Sequence, residues 1–349
     1  MHRINWLSHS LDNFSGYGRM GDRLAKALAR TGIDYVPVPP KILGLWDAVH
    51  IRRLGIDFSR LTVSLMPGDK FPSIPGRQWA FSMTESDTLP ATWGKTINET
   101  ASRCLVPSEW LIPVFRKGGV DGRIPIDVVP AGVDPFEFPY MERPSTADRP
   151  YTFLAFGDRG GRKGDDVAHR AFFKAFDPNE TGRPNADVRL VIKARPDISG
   201  FTKDYPNLSK NPRWYSIWLG DVPHTADIFA VADCLLFPTR GEGYGLPPRE
   251  AAATGLPVIA TRWAGTAGDL DQWGIPLETF TLEPTWRPKD LPGKWAEPSV
   301  DELAEKMRWC YEHQAEAREI GKRASDWVHA NLTWDHSARA LKALLEAWA

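Results

Sequence analysis

The stretch "PTRGEGYGLPPREAAATGLPVIAT", residues 238–261, sets two carboxylates, Glu242 and Glu250, around a glycine-rich loop. Gly241, Gly243 and Gly245 let the backbone approach a ligand closely, and Pro247 and Pro248 open a helix where a missing N–H costs little. Free N–H groups at a helix start favour an anion, and a diphosphate suits that geometry. Carboxylates do not bind phosphates, so sugar or ribose hydroxyls are the natural partners of Glu242 and Glu250. A tight turn, with Glu250 complementing the helix dipole, accounts for Glu250 and the glycines. It does not account for a glutamate set between two glycines.

Four further stretches carry possible chemistry. "FGDRGGRKG" (156–164) gathers Arg159, Arg162 and Lys163 at the end of an expected strand. Fixed cations there would stabilise a departing nucleoside diphosphate without a metal; a solvated basic turn is the plainer explanation. Lys193, in "LVIKARP" (190–196), ends a neighbouring strand. "SGYGRMG" (15–21) fits G-x-G-x-x-G through Gly16, Gly18 and Gly21, which raises an NAD-dependent oxidoreductase as an alternative. That fingerprint wants its glycines directly after a strand and an acid at the end of the second strand. Here "HSLDNFSG" intervenes and Asp34 begins the second strand. Finally, "FSMTESDTLP" (81–90) places Thr84, Glu85, Ser86 and Asp87 at a strand end, with Ser86 or Asp87 expected to cap the next helix. No D-x-D motif follows a strand convincingly, and His2, His9, His50 and His169 are scattered, so no metal site is expected.

The elements that must position these groups alternate. Strands are expected at 4–8, 33–38, 61–66, 78–83, 103–108 and 126–130, with helices at 18–32, near 43–54, at 90–100 and at 108–118. A proline- and charge-rich segment follows, and the same grammar restarts. Strands are expected at 151–157, 187–194, 213–220, 234–238 and 256–261, with helices at 165–176, 225–232, 247–255 and through 298–349. This implies two doubly wound α/β domains: 1–138, a linker 139–150, and 151–332, with 333–349 a C-terminal helix that crosses back to the first domain. Ligands of such sheets bind at the carboxyl ends of strands, so the expected site is a cleft between the domains.

The 242–259 stretch closely resembles the E-x7-E element of retaining glycosyltransferases of the GT-B fold, particularly family 4. The family pattern E-G-[FY]-G-L-P-x-x-E-A-x-A-x-G-x-P-V-I is matched here by E-G-Y-G-L-P-P-R-E-A-A-A-T-G-L-P-V-I. "CLVPSEW" (104–110), "IDVVPAGVDPFEF" (126–138) and "WLGDVPHTADIFAVADCLLFPT" (218–239) extend the resemblance over about 102–262. It implies a GT-B fold, two Rossmann-like domains facing a central cleft. It implies that Glu242 contacts donor-sugar hydroxyls, that Glu250 binds the ribose, and that the loop from Gly243 through Tyr244, Gly245 and Leu246 faces the donor phosphates. Lys163 and an arginine, Arg159 or Arg162, would grip the diphosphate beside Lys193. Gly220, Asp221 and Val222 would lie near the base or ribose. Gly16, Tyr17 and Gly18 would form the upper lip of the site. The family's first-domain histidine is absent, and Glu85 is expected in its place.

The implied reaction moves a sugar from a nucleoside diphosphate donor, such as a UDP- or GDP-sugar, to a hydroxyl acceptor with retention and without a metal. A GT-B epimerase, a phosphorylase or a protein that only binds sugar nucleotides would draw on the same elements. Glycan, lipid, protein and small-molecule acceptors stay open. A net charge of -1 excludes a global basic field for nucleic acid. Cys104, Cys234 and Cys310, far apart and odd in number, point to a reducing, cytoplasmic setting. Residues 1–14 do not read as a signal peptide. "KILGLWDAVHIRRLG" (41–55) reads as a surface helix near the acceptor side, or one resting on a bilayer.

Overall fold

The computed structural model describes residues 3–8, 16–39, 54–157, 161–177, 179, 184–194, 214–219, 224–286, 289 and 291–348. The expected helix near 43–54, most of the 41–55 segment, Arg159, Gly220, Asp221 and Val222 lie outside the described residues.

The chain forms two units. The first comprises Met1–Gly132, Arg287–Lys294 and Leu332–Ala349; the second comprises Val133–Trp286 and Trp295–Asn331. In the first, strands β1 (Arg3–Ser8), β2 (Asp34–Val38), β3 (Thr62–Leu65), β4 (Gln78–Phe81), β5 (Arg103–Val106) and β6 (Ile126–Val128) lie in the order β2-β1-β3-β4-β5-β6. Every pair is parallel. Both faces of such a sheet are covered, so its strands are apolar rather than alternating. Leu7, Val63, Leu65, Trp79, Phe81 and Leu105 are fully buried.

Helix α1 (Gly16–Arg30) follows β1, with Leu24, Ala27 and Leu28 buried at helical spacing. Gly21 lets it close onto the strand: a Cβ there would sit 2.3 Å from the Ser8 hydroxyl oxygen. The C-terminal helix, Trp334–Trp348, packs in this first unit. Arg30 reaches Asp335 at 2.7 Å, Lys342 donates to the Thr31 carbonyl at 2.8 Å, and Trp348 meets Trp79 edge-on at 5.7 Å.

The second sheet contains β7 (Tyr151–Phe156), β8 (Val188–Ala194), β9 (Tyr215–Leu219), β10 (Cys234–Phe237), β11 (Val258–Thr261) and β12 (Ile275–Leu277). Its order is β12-β11-β10-β7-β8-β9, again all parallel. Strand order reverses between β7 and β10, and a crevice opens outside the carboxyl ends of strands at such a switch point. Helix α2 (Asp165–Phe176) seals one face with Phe172 and Phe176 against Phe153, ring centroids 6.3 and 5.6 Å apart. Each such ring contributes about 1.5–3 kcal/mol by leaving water.

Four features depart from the sequence-based expectation. The edge strand β12 was not among the expected strands. The segment expected as a linker is packed into the second unit: Arg143, 8% exposed, donates to the carbonyls of Phe229 and Thr254. A buried guanidinium needs acceptors, and the ends of nearby elements supply them. A two-stranded ribbon, β13 (Phe280–Pro284) with β14 (Lys294–Pro298), was not anticipated. Neither Ser86 nor Asp87 caps the helix Ala91–Thr100, whose cap position is Pro90 without a side-chain bond. They sit too far upstream. Ser86 instead donates to the carbonyls of Thr88 and Pro292, and Asp87 accepts the Lys294 N–H at 2.8 Å.

Candidate active site

The reversal between β7 and β10 decides which loops meet. β10 pairs directly with β7, so the basic turn after β7 and the glycine loop after β10 leave the sheet side by side. Lys163 Nζ lies 2.5 Å from Glu242 Oε1, and Arg162 Nη1 lies 2.7 Å from the same oxygen. Thr239 adds its hydroxyl at 3.4 Å, also to Oε1. Among the described residues these bonds all land on one oxygen, Oε1. The three side chains are 9–18% exposed. Burial by itself pushes the Glu242 carboxyl up, but the charges of Arg162 and Lys163 outweigh it and hold the carboxyl below its ordinary range. Lys163 also sits 5.2 Å above the Phe237 ring, the last residue of β10.

Helix α3 (Leu246–Ala253) starts at the end of the glycine loop. Gly245 caps it in the left-handed region, at φ 86°, where a side chain would be strained and would press on Thr266. The loop is braced from below by the turn after β11. Gly265 N–H donates to the Glu242 carbonyl at 2.8 Å, and a Cβ on Gly265 would sit 2.4 Å from the Gly243 carbonyl carbon.

Arg249, with a side chain 3% exposed, carries no signal in the sequence that sets it apart from a surface arginine. It donates to the carbonyls of Tyr244, Gly245 and Gly265 and forks onto Asp269. Its guanidinium also stacks on Tyr244 at 4.0 Å and Trp273 at 4.8 Å. In a trans peptide the N–H points opposite to the C=O. Holding the Tyr244 and Gly245 carbonyls on the arginine side therefore turns the amides of Gly245 and Leu246 the other way. Burial raises the Tyr244 hydroxyl to about 12, so it stays a neutral donor. Glu250 is 3% exposed within α3.

Lys193 is aligned with Phe156 across β7 and β8, and its carbonyl accepts from Gly157 N–H at 2.9 Å. Thus Arg162, Lys163, Lys193, Glu242, Gly243, Tyr244, Gly245, Leu246 and Glu250 all belong to the second unit.

Gly16, Tyr17, Gly18 and Glu85 belong to the first unit. Gly16, Tyr17 and Gly18 form the first turn of α1, two residues earlier than the periodicity indicates. The Tyr17 hydroxyl is engaged within its own unit: it donates to the Met83 carbonyl at 3.0 Å and accepts from the Met83 N–H at 3.2 Å. Burial, with the charges of Glu85 and Asp69 adding to it, lifts this hydroxyl to about 12 against the opposing bonds to Ser82 and Met83. Tyr17 therefore fixes the turn that carries Glu85. Asp34 opens β2 and pairs with Arg3 at 2.9 Å, away from the carboxyl end where a dinucleotide fingerprint would place its acid. Among the described residues no group of three or more His, Cys, Asp or Glu is placed to hold a metal ion, and no helix is long and apolar enough to cross a membrane.

Residues 117–341 match the family described as "Family 4 Glycosyltransferase in conflict systems". A Sulfolobus islandicus filamentous virus protein designated glycosyltransferase 45 is 27% identical over 187 residues, 53% of this chain. The match spans about half of that relative, 49% of its length. Among solved structures, sucrose-phosphate synthase from Thermosynechococcus elongatus superposes with a TM-score of 0.70 at 16% identity, over 100% of this chain and 99% of that one. HepE of Anabaena, solved with UDP-glucose, gives 0.70 at 13% identity, over 99% and 100%. WaaG, a glycosyltransferase involved in lipopolysaccharide biosynthesis, gives 0.66 at 16%, over 97% and 98%. The fold is therefore that of the GT-B glycosyltransferases.

Proposed function

The chain belongs to the family 4 glycosyltransferases in conflict systems, and from that premise we propose that it transfers a sugar from a nucleoside diphosphate donor to a hydroxyl acceptor, with retention and without a metal ion. One observation carries the reading: a buried carboxylate, Glu242, held under Lys163 and Arg162 at the strand-order reversal of the second sheet. A carboxylate beside two fixed cations suits a ligand that is hydroxylated at one end and anionic at the other.

In this proposal Glu242 accepts donor-sugar hydroxyls. Lys163 and Arg162, with Lys193 nearby, take the diphosphate, and the amides from Gly243 to Leu246 add backbone donors. Glu250 binds the ribose. The Gly16–Gly18 turn contributes its amides, since the Tyr17 hydroxyl is already engaged. Glu85 accepts sugar hydroxyls in place of the family's histidine. Transfer is a front-face substitution. The bond from the anomeric carbon to the phosphate oxygen breaks, and the bond to the acceptor oxygen forms on the same face. The acceptor's proton goes to the leaving phosphate. Charge growing on that phosphate is what Lys163, Arg162 and the helix amides stabilise, and such fixed donors act most strongly in a water-poor site. A cytoplasmic setting belongs to the same proposal and agrees with three buried free cysteines.

A thermal-shift screen of nucleoside diphosphate sugars tests the reading, because a true donor raises stability by mass action. UDP-glucose is the first to try, being the ligand of the Anabaena structure. The hit should be slowly hydrolysed without acceptor, and the released sugar should keep its anomeric configuration. A chain that no nucleoside diphosphate sugar stabilises would sink the proposal.

A further inference from the structure

We propose that Arg240 is a positioning residue for the diphosphate grip, acting through the backbone of the basic turn; this rests on the reading of Lys163 and Arg162 given above. Arg240 lies in the glycine loop, where its residue type alone would suggest a ligand contact. The structure spends it otherwise. Its side chain is 3% exposed, and all five guanidinium N–H groups have protein acceptors. Nε and Nη2 reach Glu297 at 2.5 and 2.8 Å. Nη1 and Nη2 reach Asp166 at 2.7 and 2.8 Å, a parallel fork. Nη1 also donates to the Gly161 carbonyl at 2.5 Å.

The main chain of the same residue completes the hub. Arg240 N–H donates to the Arg162 carbonyl at 2.7 Å, and its carbonyl accepts from Ala296 N–H at 3.0 Å. Two consecutive carbonyls of the basic turn, those of Gly161 and Arg162, are thus held by one residue, immediately before Lys163. Trp286 covers the guanidinium at 4.6 Å and lies so near the turn that a Cβ on Gly161 would come within 2.4 Å of its ring. Charge on Asp166 and Glu297 keeps Arg240 protonated despite burial. No N–H remains for a phosphate, so Arg240 acts on the ligand only through where it puts Lys163 and Arg162. Lysine cannot replace it, because an ammonium offers three donors and no planar fork.

A double-mutant cycle with inorganic pyrophosphate as probe, titrated by calorimetry on the full chain, tests this. Arg240→Lys should weaken pyrophosphate about tenfold in the wild-type background. In a Lys163→Ala background the same change should cost less than about threefold, because one of the two groups being positioned is gone. A purely structural role would lower the competent fraction equally in both backgrounds. Glu297→Gln, at a side chain 31% exposed, removes one anchor of the fork and carries the test if Arg240→Lys fails to fold. It should weaken binding several-fold with the same background dependence. Equal losses in both backgrounds, or folded variants that bind as wild type does, overturn the inference. Pyrophosphate left unbound by the wild-type chain overturns the diphosphate role of Lys163 itself, and this inference with it.

Discussion

Glu242 keeps its charge out of water only because Lys163 and Arg162 come with it, and that sets opposite demands on binding and turnover. The carboxylate neutralises part of the charge that a diphosphate, on the proposed reading, would use. Glu242→Gln keeps the shape but removes the charge and turns one of the two acceptor oxygens into an amide donor. It should lower transfer at least about a hundredfold, the scale for deleting one preorganised contact to a reacting group. Pyrophosphate affinity should hold or rise, since both cations are then free of a competing anion. Calorimetry beside a transfer assay separates these effects. A variant that loses both would show that Glu242 chiefly holds the cations in place.

Gly164 joins the basic turn to helix α2, and it shows how an element boundary serves the site. Its φ is 75°, and a Cβ would lie 1.9 Å from the Pro238 carbonyl oxygen, where β10 gives way to the glycine loop. Gly164→Ala should therefore cost more than the ~1–3 kcal/mol of left-handed strain alone, and should raise the donor KM by displacing Lys163. Gly119, at φ 90° with open space around it, is the control: alanine there should cost strain alone and leave turnover unchanged. Urea midpoints and donor KM for both variants check this, and equal behaviour would remove the argument from the loop contact. The same boundary shows what can be read from the chain. Helix α2 is legible to the residue, because Asp165 and Asp166 open it and its apolar spacing is regular. Glu242, the glycines and the basic turn stand out in the sequence because a glutamate set between glycines, and cations clustered in one short turn, are more than packing alone demands. Arg240 and Arg249 are not. Arg240 has the residue type of a ligand cation and Arg249 looks like a surface arginine, and only their partners reveal the buried forks. Glu297 lies on a ribbon that periodicity misses, and Asp269 beyond the next strand. Tyr17 sits in the first turn of α1, and its hydroxyl reaches 66 residues along the chain to Met83, a contact that no local pattern shows.

At the scale of the whole molecule, full-length agreement with solved GT-B structures at 13–16% identity means that the fold tolerates wide exchange of side chains. Stability then rests on how each chain fills its own cores, and here a half-buried titratable ring packs beside one of them. His169 sits in α2 against Phe173, ring centroids 4.7 Å apart, with Asp166 and Arg170 as its charged neighbours. Burial lowers its pKa to about 4; Arg170 adds to the effect and Asp166 opposes it. The unfolded chain titrates this ring near 6.5. Between the two values the unfolded state binds a proton that the folded state refuses, so stability increases with pH across that window. The His169 contribution is whole above about pH 6.5 and is lost as pH falls towards 4, a swing on the order of 3 kcal/mol. His169→Leu should abolish that swing while keeping the apolar contact with Phe173. Urea unfolding of both chains at intervals from pH 7.5 to 4 isolates the effect, because carboxylates that titrate in the same range contribute equally to both. The wild-type chain should lose stability relative to the variant steadily below pH 6.5, and a difference that stays constant would show that the folded chain protonates His169 as readily as the unfolded one. Because Asp166 on the same helix anchors Arg240, partial unfolding of α2 in acid should release the basic turn as well. Pyrophosphate affinity should then fall over the same pH window in the wild-type chain and less so in His169→Leu.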